Sequence, residues 1–130
     1  RLACLIDAKV TPLNVGEVLE YSKEFMIPEE LTGEPEECVI VDISGGGVRF
    51  ISNKSYSKDG YVYIEFNTST SSSDKKFGLM GRIVTSIKSE ADNGKYDNRI
   101  QFKVISKEKR EEIIKFIFNE QRRLRQKERG

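Results

Sequence analysis

Asp42-Ile43-Ser44-Gly45-Gly46-Gly47 follows the apolar run Cys38-Val39-Ile40-Val41 and sets a carboxylate, a hydroxyl and three glycines where a strand is due to end. The carboxylate accepts hydrogen bonds, and the hydroxyl both donates and accepts. Glycine lets a backbone turn tightly or lie close against a flat ligand. Asp and Ser two residues apart on a strand project from the same face. Such a corner offers a carboxylate to the ring N–H and exocyclic amine of a guanine, while an arginine suits guanine O6 and N7 or a phosphate. Arg1 and Arg49 are the cationic candidates. The same residues also make a plain turn, in which Asp and Ser bond nearby backbone amides. Taken alone, they leave both readings open.

These side chains need a strand beneath them, and the chain supplies a run of strand-like segments. Leu2 to Val10 carries Leu5, Ile6, Ala8 and Val10 among polar residues, with Pro12 as its stop. Residues 13 to 36 hold Pro28, Gly33 and Pro35 amid glutamates, and the alternation Val15, Glu17, Val18, Glu20 fits a short strand before a loop. From Glu37 to Ser44, Val39, Val41 and Ile43 fall on one face and Ile40, Asp42 and Ser44 on the other, so Asp42 and Ser44 point the same way. Val48 to Ile51 and Tyr61 to Phe66 continue the pattern as an antiparallel meander. The polar run 67–74 reads as a flexible hairpin loop rather than a domain linker. Phe77 to Ile87 and Arg99 to Ile105 give two more strands, with Asn93-Gly94 as a hairpin turn between them.

The period then changes. Ser106 is placed to cap a helix from Lys107 to about Gln126, with Ile113, Ile114, Ile117, Phe118 and Leu124 on one broad face. Consecutive strands followed by one terminal helix predict a mainly β, six-stranded antiparallel barrel over about 2–105, with the helix on its mouth or flank. The 130 residues fit a single domain large enough to fold without disulfides or a structural metal. The chain opens on Arg1 rather than Met, which reads as a fragment whose N-terminal region lies outside it.

Composition narrows the chemistry. With no histidine, a Cys/His zinc site and a histidine-based triad are excluded, and no spaced carboxylate pair suggests an acid–base enzyme. Cys4 and Cys38 sit in apolar runs and read as reduced core thiols. No apolar stretch is long enough to span a bilayer. The 22 Lys+Arg against 21 Asp+Glu give a net charge of +1, which argues against a DNA- or RNA-binding protein. Charge is uneven: Glu17 to Glu37 holds eight Glu and one Lys, whereas Lys107 to Gly130 holds nine Lys/Arg against five Glu. Both stretches read by default as solvated surface. Tyr61 and Tyr63 alternate on one face, so a single-stranded nucleic-acid barrel stays as a lesser alternative.

The segment Val41 to Phe50 resembles the (Asp/Asn)-x-Ser-x-x-Gly signature of PilZ domains, with Asp42, Ser44 and Gly47 at the defining positions. In that family a flexible Arg-x-x-x-Arg segment lies just before the first strand. Arg1-Leu2-x-Cys4-Leu5-Ile6-Asp7 is similar to the second arginine of this segment and the strand start behind it in flagellar-brake members of the YcgR type. The helix from Ile113 to Arg123 resembles the closing helix of the same group. The resemblance implies a PilZ-type barrel acting as a receptor for the bacterial messenger cyclic di-GMP. Arg1, Asp42, Ser44, Gly45, Gly46, Gly47 and Arg49 would form the ligand site, with no catalytic residue, metal or further cofactor. Leu5 stands four residues after Arg1, so either the other arginine of the clamp lies upstream, on an arm that the ligand orders, or the site is crippled; the upstream partner is the favoured expectation. The resemblance further implies a cytoplasmic protein that meets flagellar motor or stator proteins, recruited to the flagellar basal body. A PilZ-type interaction module without nucleotide binding is the main alternative.

Overall fold

The computed structural model describes residues 1–24, 30–69, 74–91 and 94–129. Six strands close into an antiparallel barrel: β1 (Leu2–Pro12), β2 (Glu36–Ile43), β3 (Gly47–Ser52), β4 (Tyr61–Ser69), β5 (Asp74–Lys88) and β6 (Tyr96–Phe102). Helix α1 (Val15–Glu24) lies between β1 and β2, and helix α2 (Lys107–Arg129) follows β6. The order around the barrel is β1-β2-β3-β6-β5-β4. The expected meander is therefore corrected: β4 pairs with β1 and β5, while β3 pairs with β2 and β6. Of the predicted 67–74 loop, residues 67–69 and 74 are strand, with Ser69 paired opposite Asp74, and residues 70–73 lie outside the described residues. Asn93 of the predicted turn lies outside the described residues, and Gly94 has φ +83°.

Val10, Ile40, Phe50, Ile64 and Met80 are fully enclosed, and Phe66 stacks on Phe77 with ring centroids 5.3 Å apart. Ile113 and Ile117, one turn apart on α2, enter the same buried cluster as the strand residues. The helix face is narrower than expected, since Ile114, Phe118 and Leu124 remain exposed. Ser106 caps α2 by accepting a hydrogen bond from the Lys109 amide at 3.1 Å. The last strand stops at Phe102 rather than Ile105, for Val104 adopts φ 53° and turns the chain towards the helix.

The segment read as a short strand at Val15–Glu20 is the helix α1. The Asn14 side chain accepts a hydrogen bond from the Glu17 amide at 2.8 Å, and Glu17 accepts one from the Asn14 amide at 2.9 Å. This reciprocal cap satisfies amides that a helix start leaves unpaired, and it overrides the weak alternation of Val15 to Glu20. Glu17 also accepts a hydrogen bond from the Thr32 amide at 3.0 Å, tying α1 to the chain that leads into β2. The Asn14 amide, then the Thr32 groups, hold the Glu17 carboxyl below its ordinary value of 4.5 against the opposing effect of burial. A carboxyl depressed by folding stabilises fully above its unfolded value, and this contribution is lost as pH falls through the folded one. The thermal midpoint should therefore fall as pH drops below 4.5. Glu17→Gln should show a smaller fall over the same range, and equal falls in both would rule out this source.

Candidate functional site

Strand β2 does not keep its alternation to the end. Cys38 and Ile40 face the core, but the next inward residue is Ile43 rather than Asp42. Against β3, Ile40 pairs with Phe50 and Asp42 pairs with Arg49, so an extra residue on β2 makes a bulge between them. The expected face of Val39, Val41 and Ile43 is thus corrected: Ile43 is inside, Val39 and Val41 are half-buried outside, and Ile40 is inside. Asp42 and Ser44 do share the outer face, because they flank Ile43 beyond the bulge.

Arg1, Asp42, Ser44, Gly46, Gly47 and Arg49 line one open cavity of about 210 Å³. That is room for a purine base but not for a whole cyclic dinucleotide. Arg1 Nε lies 3.2 Å from Asp42 Oδ2, and the Asp42 side chain is only 15% exposed. Gln121 of α2 donates a hydrogen bond to the Arg1 carbonyl at 2.6 Å, which holds the start of β1 beside the cavity. Gly45 is the exception among the predicted residues: it faces Ile114 of α2 and does not line the cavity.

The glycine corner is a turn as well as a wall. The Ser44 amide donates to the Gly47 carbonyl at 2.9 Å, and the Ser44 hydroxyl sits 3.3 Å from both that carbonyl and the Gly46 amide. Gly47 is required for space, since a Cβ there would overlap the Ile100 carbonyl oxygen on β6.

Arg49 is half-exposed and anchored. Its Nε donates to both Asp97 carboxylate oxygens at 2.9 and 3.0 Å, and a terminal nitrogen lies 2.9 Å from Asp97 Oδ2. The Asp97 hydrogen bonds and charge raise the Arg49 pKa, so it stays protonated at any working pH. Sequence reasoning missed Asp97, Arg99 and Gln101 of β6 and Val84 of β5; the last three line the cavity. The pairing of β3 with β6 brings the β6 residues here, and the pairing of β5 with β6 brings Val84.

A larger cavity, about 620 Å³, lies on another part of the wall around Asp7, Lys9, Glu37 and Glu65. Lys9 stands opposite Glu37 on one side and Glu65 on the other, and Lys76 pairs with Glu65 at 3.4 Å. These charges answer one another, so volume alone is a poor guide to the site. Both thiols are inert. Burial, then the Asp42 charge, pushes Cys4 up to about 11, and burial, then Glu36, pushes Cys38 up to about 12. Tyr63 packs against Tyr21 of α1 with ring centroids 6.5 Å apart, and its hydroxyl lies over Gly78. That leaves Tyr63 a packing residue rather than a platform for bases. Among the described residues there is no cluster of three or more metal-ligating side chains, and no helix is long and apolar enough to cross a membrane.

The family model of the PilZ domain matches residues 23–119, well over half of the chain. The chain belongs to the PilZ family. The matched residues contain the PilZ signature positions Asp42, Ser44 and Gly47, whereas Arg1 precedes them. Among solved structures, this PilZ domain is similar to the Bacillus subtilis inhibitor of motility MotI/DgrA, with a TM-score of 0.68 at 10% identity over 92% of this chain and 48% of that one. It is also similar to the PilZ domain of Escherichia coli YcgR, solved with cyclic di-GMP. That likeness has a TM-score of 0.60 at 12% identity over 100% of this chain and 98% of that one. The chain spans about half the length of the Bacillus protein. At such identities the likeness establishes the fold. A search of curated proteins found no match.

Proposed function

We propose that this PilZ domain is a receptor for cyclic di-GMP. The observation that carries the reading is the convergence of Arg1, Asp42, Ser44 and Gly47 on one small polar cavity, with the Asp42 carboxylate already paired to a guanidinium. The YcgR PilZ domain, which shares the fold and was solved with cyclic di-GMP, supports the same ligand here.

Asp42 has two carboxylate oxygens, and Arg1 occupies one lone-pair direction of Oδ2. Both oxygens can still accept, one from the guanine ring N–H and one from its exocyclic amine. Ser44 and the Gly45–Gly47 backbone hold the turn that fixes this carboxylate, and Gly46 leaves open space beside it. Arg49, anchored by Asp97, adds positive potential to the wall that a phosphate would face. Arg1, whose carbonyl accepts a hydrogen bond from Gln121 of α2, would meet guanine or phosphate, and the family resemblance implies a second clamp arginine on an arm before it. The cavity takes a base only, so the arm covers the remainder of the ligand and becomes ordered with it.

The role of the domain is to bind and report rather than to catalyse. Ligand-dependent order of the arm changes the surface shown to a partner. The fold likeness to an inhibitor of motility favours flagellar control, with a motor or stator protein as partner in the cytoplasm at the basal body. Titrating the full-length protein with cyclic di-GMP and with a labelled single-stranded oligonucleotide tests the reading. Saturable binding of the dinucleotide alone supports it. Binding of neither identifies a silent interaction module, and binding of the oligonucleotide alone identifies a nucleic-acid barrel.

A further inference from the structure

We infer that Arg99 on β6 is a ligand-binding residue of this site, the guanidinium that meets a phosphate of the ligand two strands across the sheet from Asp42. The inference rests on the cyclic di-GMP reading above. Arg99 lines the same cavity as Arg1, Asp42 and Arg49, and the β3–β6 register sets it directly opposite Arg49. Asp97, two residues before Arg99 on the same outer face of β6, neutralises only Arg49.

The donors of the cavity are thereby divided. Arg49 spends its Nε and one terminal nitrogen on Asp97, and Arg1 spends its Nε on Asp42. Gln101, the next outward residue of β6, accepts from Arg82 at 3.4 Å. Arg99 is exposed and has no hydrogen bond or ion pair among the described residues. It keeps all five N–H donors and an uncompensated positive charge. An exposed strand arginine is ordinarily just solvated, but here it lines a polar cavity in which Asp97 answers the charge of Arg49 and no acid among the described residues answers that of Arg99. An anion in the cavity answers that charge and takes the planar fork bidentately, as phosphates do.

The test is calorimetric titration of the full-length protein with cyclic di-GMP, for wild type, Arg99→Ala and Arg99→Lys. Arg99→Ala should weaken binding by about 10-fold or more, the size of one charged hydrogen-bonded contact. Its affinity should also depend less on salt, because one ionic contact is gone. Arg99→Lys should recover part of the loss by keeping the charge without the fork. The thermal midpoint should not fall in either variant, as Arg99 has no partner to lose. A wild type that binds alongside an Arg99→Ala variant within twofold of it overturns the Arg99 assignment and leaves the receptor reading intact. A wild type that shows no binding overturns both.

Discussion

Asp42→Ala should weaken cyclic di-GMP binding by about 1 to 3 kcal/mol, roughly 5- to 150-fold in Kd, while leaving the fold standing. The size follows from the geometry of the lost bonds. A carboxylate facing the guanine edge accepts two hydrogen bonds, and alanine leaves both base donors without partners in a site partly closed to water. Stability should change little, because the one ion pair Asp42 makes is to Arg1, whose side chain is 67% exposed. Asp42→Asn keeps one acceptor but turns an N–H₂ group towards a base donor, so it should bind hardly better than alanine. Calorimetry for affinity and circular dichroism for the thermal midpoint separate the two effects. An unchanged Kd in a folded Asp42→Ala variant removes Asp42 from the site.

Gly47→Ala should act on the fold first. Within residues 45–47 no glycine has a left-handed φ, so conformational freedom is not what this position uses. What it uses is room: a Cβ would overlap the Ile100 carbonyl oxygen, a backbone atom that can move only with β6. The β3–β6 contact would have to part where the Phe102 amide donates to the Gly46 carbonyl at 2.8 Å. Such overpacking against backbone costs about 3 kcal/mol or more. For a domain of this size that lowers the thermal midpoint by roughly 10 °C. Gly46→Ala is the matched control, since a Cβ there meets nothing within 4 Å and should leave the midpoint near that of wild type. Equal midpoints for the two variants would show that the strands do not need this close approach.

The contrast between these glycines bears on how far residue type alone reaches. The signature positions Asp42, Ser44 and Gly47 are legible because type and spacing are local properties, and so are the six strands, whose apolar alternation is local too. Three features are not. The phase of β2 escapes a sequence reading because a bulge is a tertiary accommodation, and Val39, Val41 and Ile43 alternate as cleanly as a regular strand would. Helix α1 hides behind the alternation of Val15 to Glu20, although Asn14 and Glu17 have cap spacing and could have signalled it. The wall formed by Arg99 and Gln101, with Asp97 anchoring Arg49, depends on β3 choosing β6 rather than β4. No local pattern encodes that choice. Half of the site is therefore readable in one hexapeptide, and the other half needs the barrel to close.

The central claim is that cyclic di-GMP binds at the Asp42–Gly47 corner and not in the larger cavity around Lys9 and Glu65. Amide chemical-shift mapping of the isotopically labelled protein during titration with cyclic di-GMP tests this most directly. The amides of Asp42, Ser44, Gly46, Gly47 and Arg99 should shift saturably, while those of Lys9, Glu37 and Glu65 stay in place. Shifts confined to Lys9, Glu37 and Glu65, or no saturable shift at either location, would contradict the account.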